Sequence, residues 1–192
     1  EAIVYVYNND IKNCAEIPYS NQPYTNRKGM VWYVSYGSNL SSERFHLYIT
    51  GGPHPCSGKY RPGCSDNTLP QKAIPVSIPY DMYFGWQSQS WNYSAISYLD
   101  TSKPGYSLGR AYLISYEQYQ EIRSKEGMGP DYYDTEVRLA DIDGIPAYTI
   151  TNHRRHISAV PSELYLSFVK KGLKETYPEM SVADIDRIIR IR

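Results

Sequence analysis

Short runs of β-branched and aromatic residues alternate along this chain with clusters of Gly, Pro, Asn and Ser, a pattern that predicts many short strands and few helices. Residues 2–7 read Ala-Ile-Val-Tyr-Val-Tyr and stop at Asn8-Asn9-Asp10, which predicts a strand followed by a turn. A polar, turn-rich stretch leads to Gly29. Met30 then opens a second strand, Val31-Trp32-Tyr33-Val34-Ser35-Tyr36, which ends abruptly at Gly37-Ser38-Asn39. Beyond it Leu40, Phe45, Tyr48 and Ile49 fall near helical spacing, with Asn39 or Ser41 placed to cap the start. The order is strand, tight loop, helix.

Residues 51–70 carry Gly51-Gly52-Pro53, Pro55, Gly58, Pro62-Gly63 and Pro70, too many breakers for a regular element of useful length, so a long loop and a candidate wall of a site are expected there. Short strands are predicted over 73–79, 82–84, 95–99 and 110–114. Ser115 followed by Gln118 has the spacing of a capping box, and Tyr116, Tyr119, Ile122 and Arg123 suggest a short helix that Gly127 ends, with Glu126 in its last turn. Strands over 136–139 and 145–151 flank the hairpin signal Asp141-Ile142-Asp143-Gly144. Two helices close the chain. One begins at Pro161-Ser162 with Leu164, Tyr165, Phe168, Val169 and Leu173 on its apolar side; the other runs from Ser181 with Ile185, Ile188 and Ile189.

The 192 residues are enough for one domain with a large core and room for an appendage. Twenty Lys and Arg balance 20 Asp and Glu, which argues against neutralisation of a phosphate backbone and so against nucleic acid as a partner. Among the aromatic residues, 21 Tyr stand against 3 Phe and 3 Trp, so most aromatic bulk brings a hydroxyl that needs a hydrogen-bond partner when buried, and the clefts should be partly polar. No apolar run approaches the ~18 residues of a bilayer span, and Glu1-Ala2-Ile3-Val4-Tyr5 does not look like a signal peptide. A soluble, cytoplasmic protein without a membrane partner is expected. Cys14, Cys56 and Cys64 are too few for a disulfide framework and read as reduced thiols. The absence of an initial Met suggests a processed chain or a piece of a longer one.

A strand that ends in Tyr36-Gly37-Ser38-Asn39-Leu40 and turns into a helix gathers backbone N–H groups in one small concavity, where glycine allows close approach. Such a nest favours an anion, although turns of this composition are common. Glu126, at the end of a helix, faces the negative pole of the macrodipole, which disfavours its charge and raises its pKa. That suits a general base near neutral pH, whereas most glutamates at helix ends are simply exposed.

The run Tyr33-Val34-Ser35-Tyr36-Gly37-Ser38-Asn39-Leu40-Ser41-Ser42-Glu43-Arg44 resembles the signature of the gamma-glutamylcyclotransferase family, in which an aromatic strand enters a YGSNL loop. Later features follow in the family's order: Gly109-Arg110-Ala111-Tyr112, Lys125-Glu126-Gly127, Tyr148 to Asn152, and Pro161-Ser162-Glu163-Leu164-Tyr165. The resemblance spans about residues 30–175. It departs after Trp91, where Asn92-Tyr93-Ser94-Ala95 replaces paired glycines. The family's chemistry implies a small γ-glutamyl substrate whose own α-amine attacks its γ-carbonyl, giving 5-oxoproline and a free amine. Glu126 is then the catalytic base and acid. The loop from Tyr33 through Val34, Ser35, Tyr36, Gly37, Ser38 and Asn39 to Leu40 would bind the glutamyl group, lined also by Tyr148 and Tyr165. No metal and no cofactor are required, because the substrate supplies both reacting groups.

The expected fold is a mixed α+β domain over residues 30–192, a small barrel-like mixed sheet with helices around it. Residues 1–29 are similar to the closing strand of the family's small domains; they are either the remnant of a preceding module or an extra strand of the same domain. A non-catalytic binding module of the same fold is the competing reading. A metal-dependent deacylase, suggested by His54, Cys56, Cys64, His153 and His156, has poor ligand spacing. The sequence is silent on the leaving group and on oligomeric state.

Overall fold

In the computed structural model, which describes residues 15–16, 29–126 and 132–189, the strand-rich pattern is realised as short strands and four α-helices among the described residues. In chain order these are β1 (Ala15–Glu16), β2 (Met30–Ser35), α1 (Ser42–Thr50), β3 (Gly52–Pro53), β4 (Tyr60–Arg61), β5 (Ala73–Ile78), β6 (Asp81–Ser88) and β7 (Ser94–Asp100). There follow β8 (Ser107–Ser115), α2 (Tyr116–Lys125), β9 (Thr135–Ile142), β10 (Ile145–Thr151), α3 (Glu163–Thr176) and α4 (Val182–Ile188). Two single 3-10 turns, Ser38–Leu40 and Gln89–Trp91, complete the set.

The main sheet has six strands in the order β1-β5-β8-β2-β10-β9, with β1/β5 and β2/β10 parallel and the other pairs antiparallel. The α+β class is as expected. The sheet is not closed into a barrel among the described residues: β6 and β7 pair with each other, and an isolated bridge joins Gly85 to Ser158, outside the named strands. Of residues 1–29 the structure describes Ala15, Glu16 and Gly29; Ala15 and Glu16 pair with Val76 and Ser77. The strand predicted over 2–7 lies outside the described residues.

Strand β2 sits inside the sheet and is buried on both faces, which explains its nearly continuous apolar run. Val31 and Tyr33 pack with Phe45, Ile49, Tyr112 and Ile122 on one face, while Trp32 and Val34 meet Val76, Ile78, Val137 and Leu139 on the other. A third cluster joins α3 and α4 to the β6–β7 sheet through Tyr165, Val169, Leu173, Tyr177, Ile185, Phe84, Trp91 and Tyr98. Each large apolar side chain so buried contributes about 1.5–3 kcal/mol. On α3 the expected apolar stripe holds at Tyr165, Val169 and Leu173, with Phe168 partly buried against the same cluster; Leu164 remains 40% exposed.

Local signals set the boundaries. The Ser41 side chain, one of the two expected caps, accepts from Arg44 N and starts α1. Ser115 and Gln118 form the reciprocal capping box of α2, which ends at Lys125 with Glu126 as its C-cap; Gly127 is outside the described residues. Ser181 and Asp184 do the same for α4. The β9–β10 turn is narrower than its four-residue signal, because Asp143 (φ 51°) and Gly144 (φ 74°) make the whole two-residue connection, leaving Asp141 and Ile142 in β9. After Trp91, Asn92 (φ 54°) and Tyr93 (φ 59°) both hold the left-handed backbone that the replaced glycines would adopt without strain.

Candidate functional site

Strand β2 ends at Ser35, and the chain then folds through the Ser38–Leu40 turn, whose backbone closes with Leu40 N donating to Gly37 O at 3.0 Å. This turn is held from both sides. The Tyr112 hydroxyl donates to Asn39 O at 2.7 Å, and the Arg110 guanidinium to Leu40 O at 3.0 Å. Gly37 leaves room for neighbours: a Cβ there would stand 2.8 Å from the Tyr165 hydroxyl oxygen and 3.0 Å from Ser97 Oγ. Tyr165 is fixed by Ser97, whose N–H donates to its hydroxyl at 2.9 Å and whose Oγ accepts from it at 3.1 Å.

The first side of the site is thus a cavity of about 30 Å³ lined by Tyr33, Ser35, Tyr36, Gly37, Ser38, Asn39, Ser97, Glu126, Tyr133, Ile150 and Tyr165. It adjoins an open cleft of about 250 Å³ that shares Ser38, Glu126, Tyr133 and Tyr165 with it. Arg44, Tyr48, His54, Arg61, Ser88, Ser90, Trp91 and Lys125 line the cleft's other walls. His54 and Arg61 come from the 51–70 loop, which therefore does form a wall of the site.

Glu126 stands at the junction of the two spaces. The Asn39 amide Nδ2 donates to its Oε1 at 2.7 Å, and the Tyr33 hydroxyl lies 3.5 Å from the same oxygen. Burial pushes the Glu126 carboxyl above the ordinary carboxylate range; the Arg44 charge and hydrogen bonds from Asn39 and Tyr48 act against this and keep the ionised form within reach. The neighbouring tyrosines stay protonated, since burial raises Tyr33, Tyr36, Tyr133 and Tyr165 and brings Tyr48 to about 12. Their hydroxyls are therefore donors across the physiological range. On the acceptor side, Asn39 Oδ1 is buried without a partner among the described residues.

Of the residues singled out in the sequence, Glu126, Tyr33, Ser35, Tyr36, Gly37, Ser38, Asn39 and Tyr165 meet at this place. Three do not. Val34 points to the opposite face of β2, as strand alternation between Tyr33 and Ser35 requires. Leu40 is turned into the α3 interface and packs in the third core cluster. Tyr148, although paired in register with Tyr33, is buried in the core and stacked on Tyr119 with ring centroids 5.1 Å apart. Sequence reasoning missed Ser97, Tyr133, Arg44, Tyr48, His54, Arg61 and Lys125. Arg44 and Lys125 stand within the quoted motifs, Tyr48 lies one turn beyond Arg44 on α1, and His54 and Arg61 belong to the loop expected as a wall, whereas Ser97 and Tyr133 come from separate elements and carry no local signal.

The histidine and cysteine groups do not converge. Among the described residues, no three His, Cys, Asp or Glu side chains are placed to hold a metal ion. His153 pairs with Asp134, His156 packs against Trp86 and Tyr98, and Cys56 and Cys64 are free thiols. No helix among the described residues is long and apolar enough to cross a membrane.

A mixed sheet that presents a buried carboxylate beside a strand-to-helix turn defines the class of fold, and comparison with solved structures gives it a name: the chain has the fold of the gamma-glutamyl cyclotransferases. It superposes on a structure described as gamma-glutamyl cyclotransferase with a TM-score of 0.58 and 20% identity, covering 85% of this chain and 89% of that one. The uncharacterized human protein loc79017 gives a TM-score of 0.58 and 21% identity, covering 85% and 88%. YkqA from Bacillus subtilis gives 0.55 and 15%, covering 84% of this chain and 53% of that one. At the sequence level, Histone deacetylase 5 of Arabidopsis thaliana is 29% identical over 101 residues, 50% of this chain and 15% of that protein. No family model matches.

Proposed function

We propose that the protein is a cyclotransferase that converts γ-glutamyl amides to 5-oxoproline and a free amine. The observation that carries this reading is the position of Glu126: its carboxylate is held by Asn39 inside the cavity formed by the Tyr36–Asn39 loop rather than turned to bulk solvent. A buried carboxylate whose charge is disfavoured by its surroundings suits a group that takes up and returns a proton.

The chemistry needs no external reagent. The substrate's α-amine gives up a proton to Glu126 and forms a bond to the γ-carbonyl carbon. The amide C–N bond then breaks, and the proton held by Glu126 passes to the departing nitrogen, so the substrate is divided without water or a cofactor. Folding the chain back on itself supplies proximity. Asn39 Oδ1, buried and unpartnered, and the Glu126 carboxylate are two acceptors suited to the substrate's ammonium group before it is deprotonated. Backbone N–H groups of the loop and the Tyr33 hydroxyl are the donors for the γ-carbonyl oxygen as charge builds on it.

Incubation of the folded protein with a panel of γ-glutamyl amides should release 5-oxoproline. Glu126→Gln should bind the same compounds and release none. Intact substrates after long incubation refute the activity, and equal release by the variant removes Glu126 from the mechanism.

A further inference from the structure

Arg44 stands on α1 in the wall of the wide cleft and is 4% exposed, yet it forms no ion pair among the described residues. Its Nη2 donates to the hydroxyl of Tyr48, one turn further along the same helix, at 3.2 Å, and its Nε is buried without a partner. The guanidinium lies over the Tyr48 ring at 4.7 Å and beside Trp91 at 5.7 Å, so aromatic walls fix its place. A buried cation without an anion in contact is costly, and so is a carboxylate held away from water. Among the described residues that line this cleft, Glu126 carries the one carboxylate. Each charge needs the other.

The Tyr48 hydroxyl connects them. Its oxygen accepts from Arg44, and its own proton is directed at Glu126. The result is a chain of guanidinium, phenol and carboxylate. The other groups that face Glu126 differ from Arg44 in kind. Tyr33 of β2, Asn39 of the turn, and Tyr36, Tyr133 and Tyr165 are neutral. His54 is neutral as well: its Nδ1 accepts from the N–H groups of Cys56 and Ser57, both at 3.2 Å, which places the proton on Nε2. Arg61 of the 51–70 loop, which donates to Ser90 Oγ at 3.0 Å, and Lys125 of α2, which donates to Tyr48 O at 3.3 Å, are cations but only half-buried, so water weakens their fields. The charge of Arg44 reaches Glu126 through protein instead.

We infer that Arg44 is a positioning residue for the cyclisation, acting through the Tyr48 hydroxyl to set both the ionisation and the orientation of the Glu126 carboxylate. This role rests on the cyclotransferase reading of the site. An arginine in direct contact with Glu126 would hold the carboxyl well below the carboxylate range and occupy the oxygens that must receive the substrate's proton. With a phenol interposed the attraction is weaker, so it offsets burial in part and leaves Glu126 a working base. Once Glu126 is protonated, Arg44 is again a buried cation without a counter-charge. That imbalance favours passing the proton on to the departing nitrogen.

Glutamate labelled with carbon-13 at its side-chain carboxyl reports the ionisation directly by nuclear magnetic resonance, and the Glu126 signal is the one missing from Glu126→Gln. In Arg44→Gln its midpoint should rise by about one pH unit, a tenfold loss of the ionised form below the midpoint. Tyr48→Phe, which keeps the ring and removes the hydroxyl, should raise it by at least as much. The double variant should rise hardly beyond Tyr48→Phe, because the two groups act in series. Arg44→Lys should restore part of the shift. With γ-glutamyl-alanine as substrate, the acid limb of kcat/KM should follow these midpoints. A midpoint unmoved in Arg44→Gln, with the loss confined to KM, overturns the positioning role and leaves the cyclotransferase reading standing, since Arg44 would then hold substrate. Fully additive shifts in the double variant also overturn it, because Arg44 would then act without Tyr48. Where Arg44→Gln does not fold, an unmoved midpoint in Tyr48→Phe decides against the relay in the same way. Shifted midpoints with no 5-oxoproline from the parent protein overturn the cyclotransferase reading and keep the coupling of Arg44 to Glu126.

Discussion

Asn39 and Glu126 are 87 residues apart in the chain, and the amide of one donates to the carboxylate of the other at 2.7 Å. The bond opposes the effect of burial on Glu126, because it favours the ionised form. Asn39→Ala should therefore raise the carboxyl further, and since a base must be ionised to act, activity should be lost at the acid side first. A charged hydrogen bond is worth roughly 1.5–3 kcal/mol, or about 1–2 pH units. The acid limb of kcat/KM against pH should move upward by that amount; a limb that stays in place would separate Asn39 from the ionisation of Glu126.

Gly172 in α3 lies against the Ser38–Leu40 turn so closely that a Cβ would stand 2.1 Å from the Leu40 carbonyl carbon and 2.3 Å from Ser41 N. Glycine to alanine inside a helix ordinarily gains about 1 kcal/mol. Here both obstructing atoms are backbone and cannot rotate away. Gly172→Ala should cost roughly 3 kcal/mol in urea denaturation, through overpacking. A variant at least as stable as the parent would mean that α3 does not buttress the turn.

Burial pulls the His54 imidazole down to about 4. The folded protein thus holds it neutral, while the unfolded chain takes up a proton near the ordinary value of ~6.5. Its contribution is fully present above ~6.5 and is lost as pH falls from there toward about 4. Between pH 7.5 and 5 the parent should lose more stability than His54→Gln does. By nuclear magnetic resonance its ring should show no titration above pH 5. An ordinary midpoint near 6.5 would contradict the buried neutral tautomer.

Much of this architecture is written locally. Ser115 with Gln118, Ser162, Ser181 with Asp184, and Asp143-Gly144 each act within a few residues, so a single sequence carries their meaning. The turn at Gly37–Asn39 belongs to the same kind. Val34 and Leu40 share the run of pocket residues in the sequence, but alternation along β2 and the tightness of the 3-10 turn point them elsewhere. Tyr148 shows a different limit: it pairs beside Tyr33, but the Tyr119 ring that covers it comes from another element. The pairing of β6 with β7, apart from the six-stranded sheet, was not legible for a related reason, since nothing in either strand alone says which strand it will pair with. Ser97 reaches the cavity from β7, and Arg61 and His54 reach the cleft from the 51–70 loop; chemistry assembled from separate elements leaves no single spacing to read.

The abundant tyrosines have a consequence of another kind. Tyr36 donates to Ile150 O at 2.6 Å, Tyr112 to Asn39 O at 2.7 Å, Tyr133 to Ser97 O at 3.0 Å, and Tyr177 to Gly109 O at 2.8 Å. Every acceptor in this set is a peptide carbonyl, which all twenty amino acids provide. The tether does not draw on the side chain at the accepting position, so Asn39 and Ser97 can receive these bonds through their backbone while their side chains hold Glu126 and Tyr165. One residue can thus serve two partners at once, its backbone answering a tyrosine and its side chain answering the site.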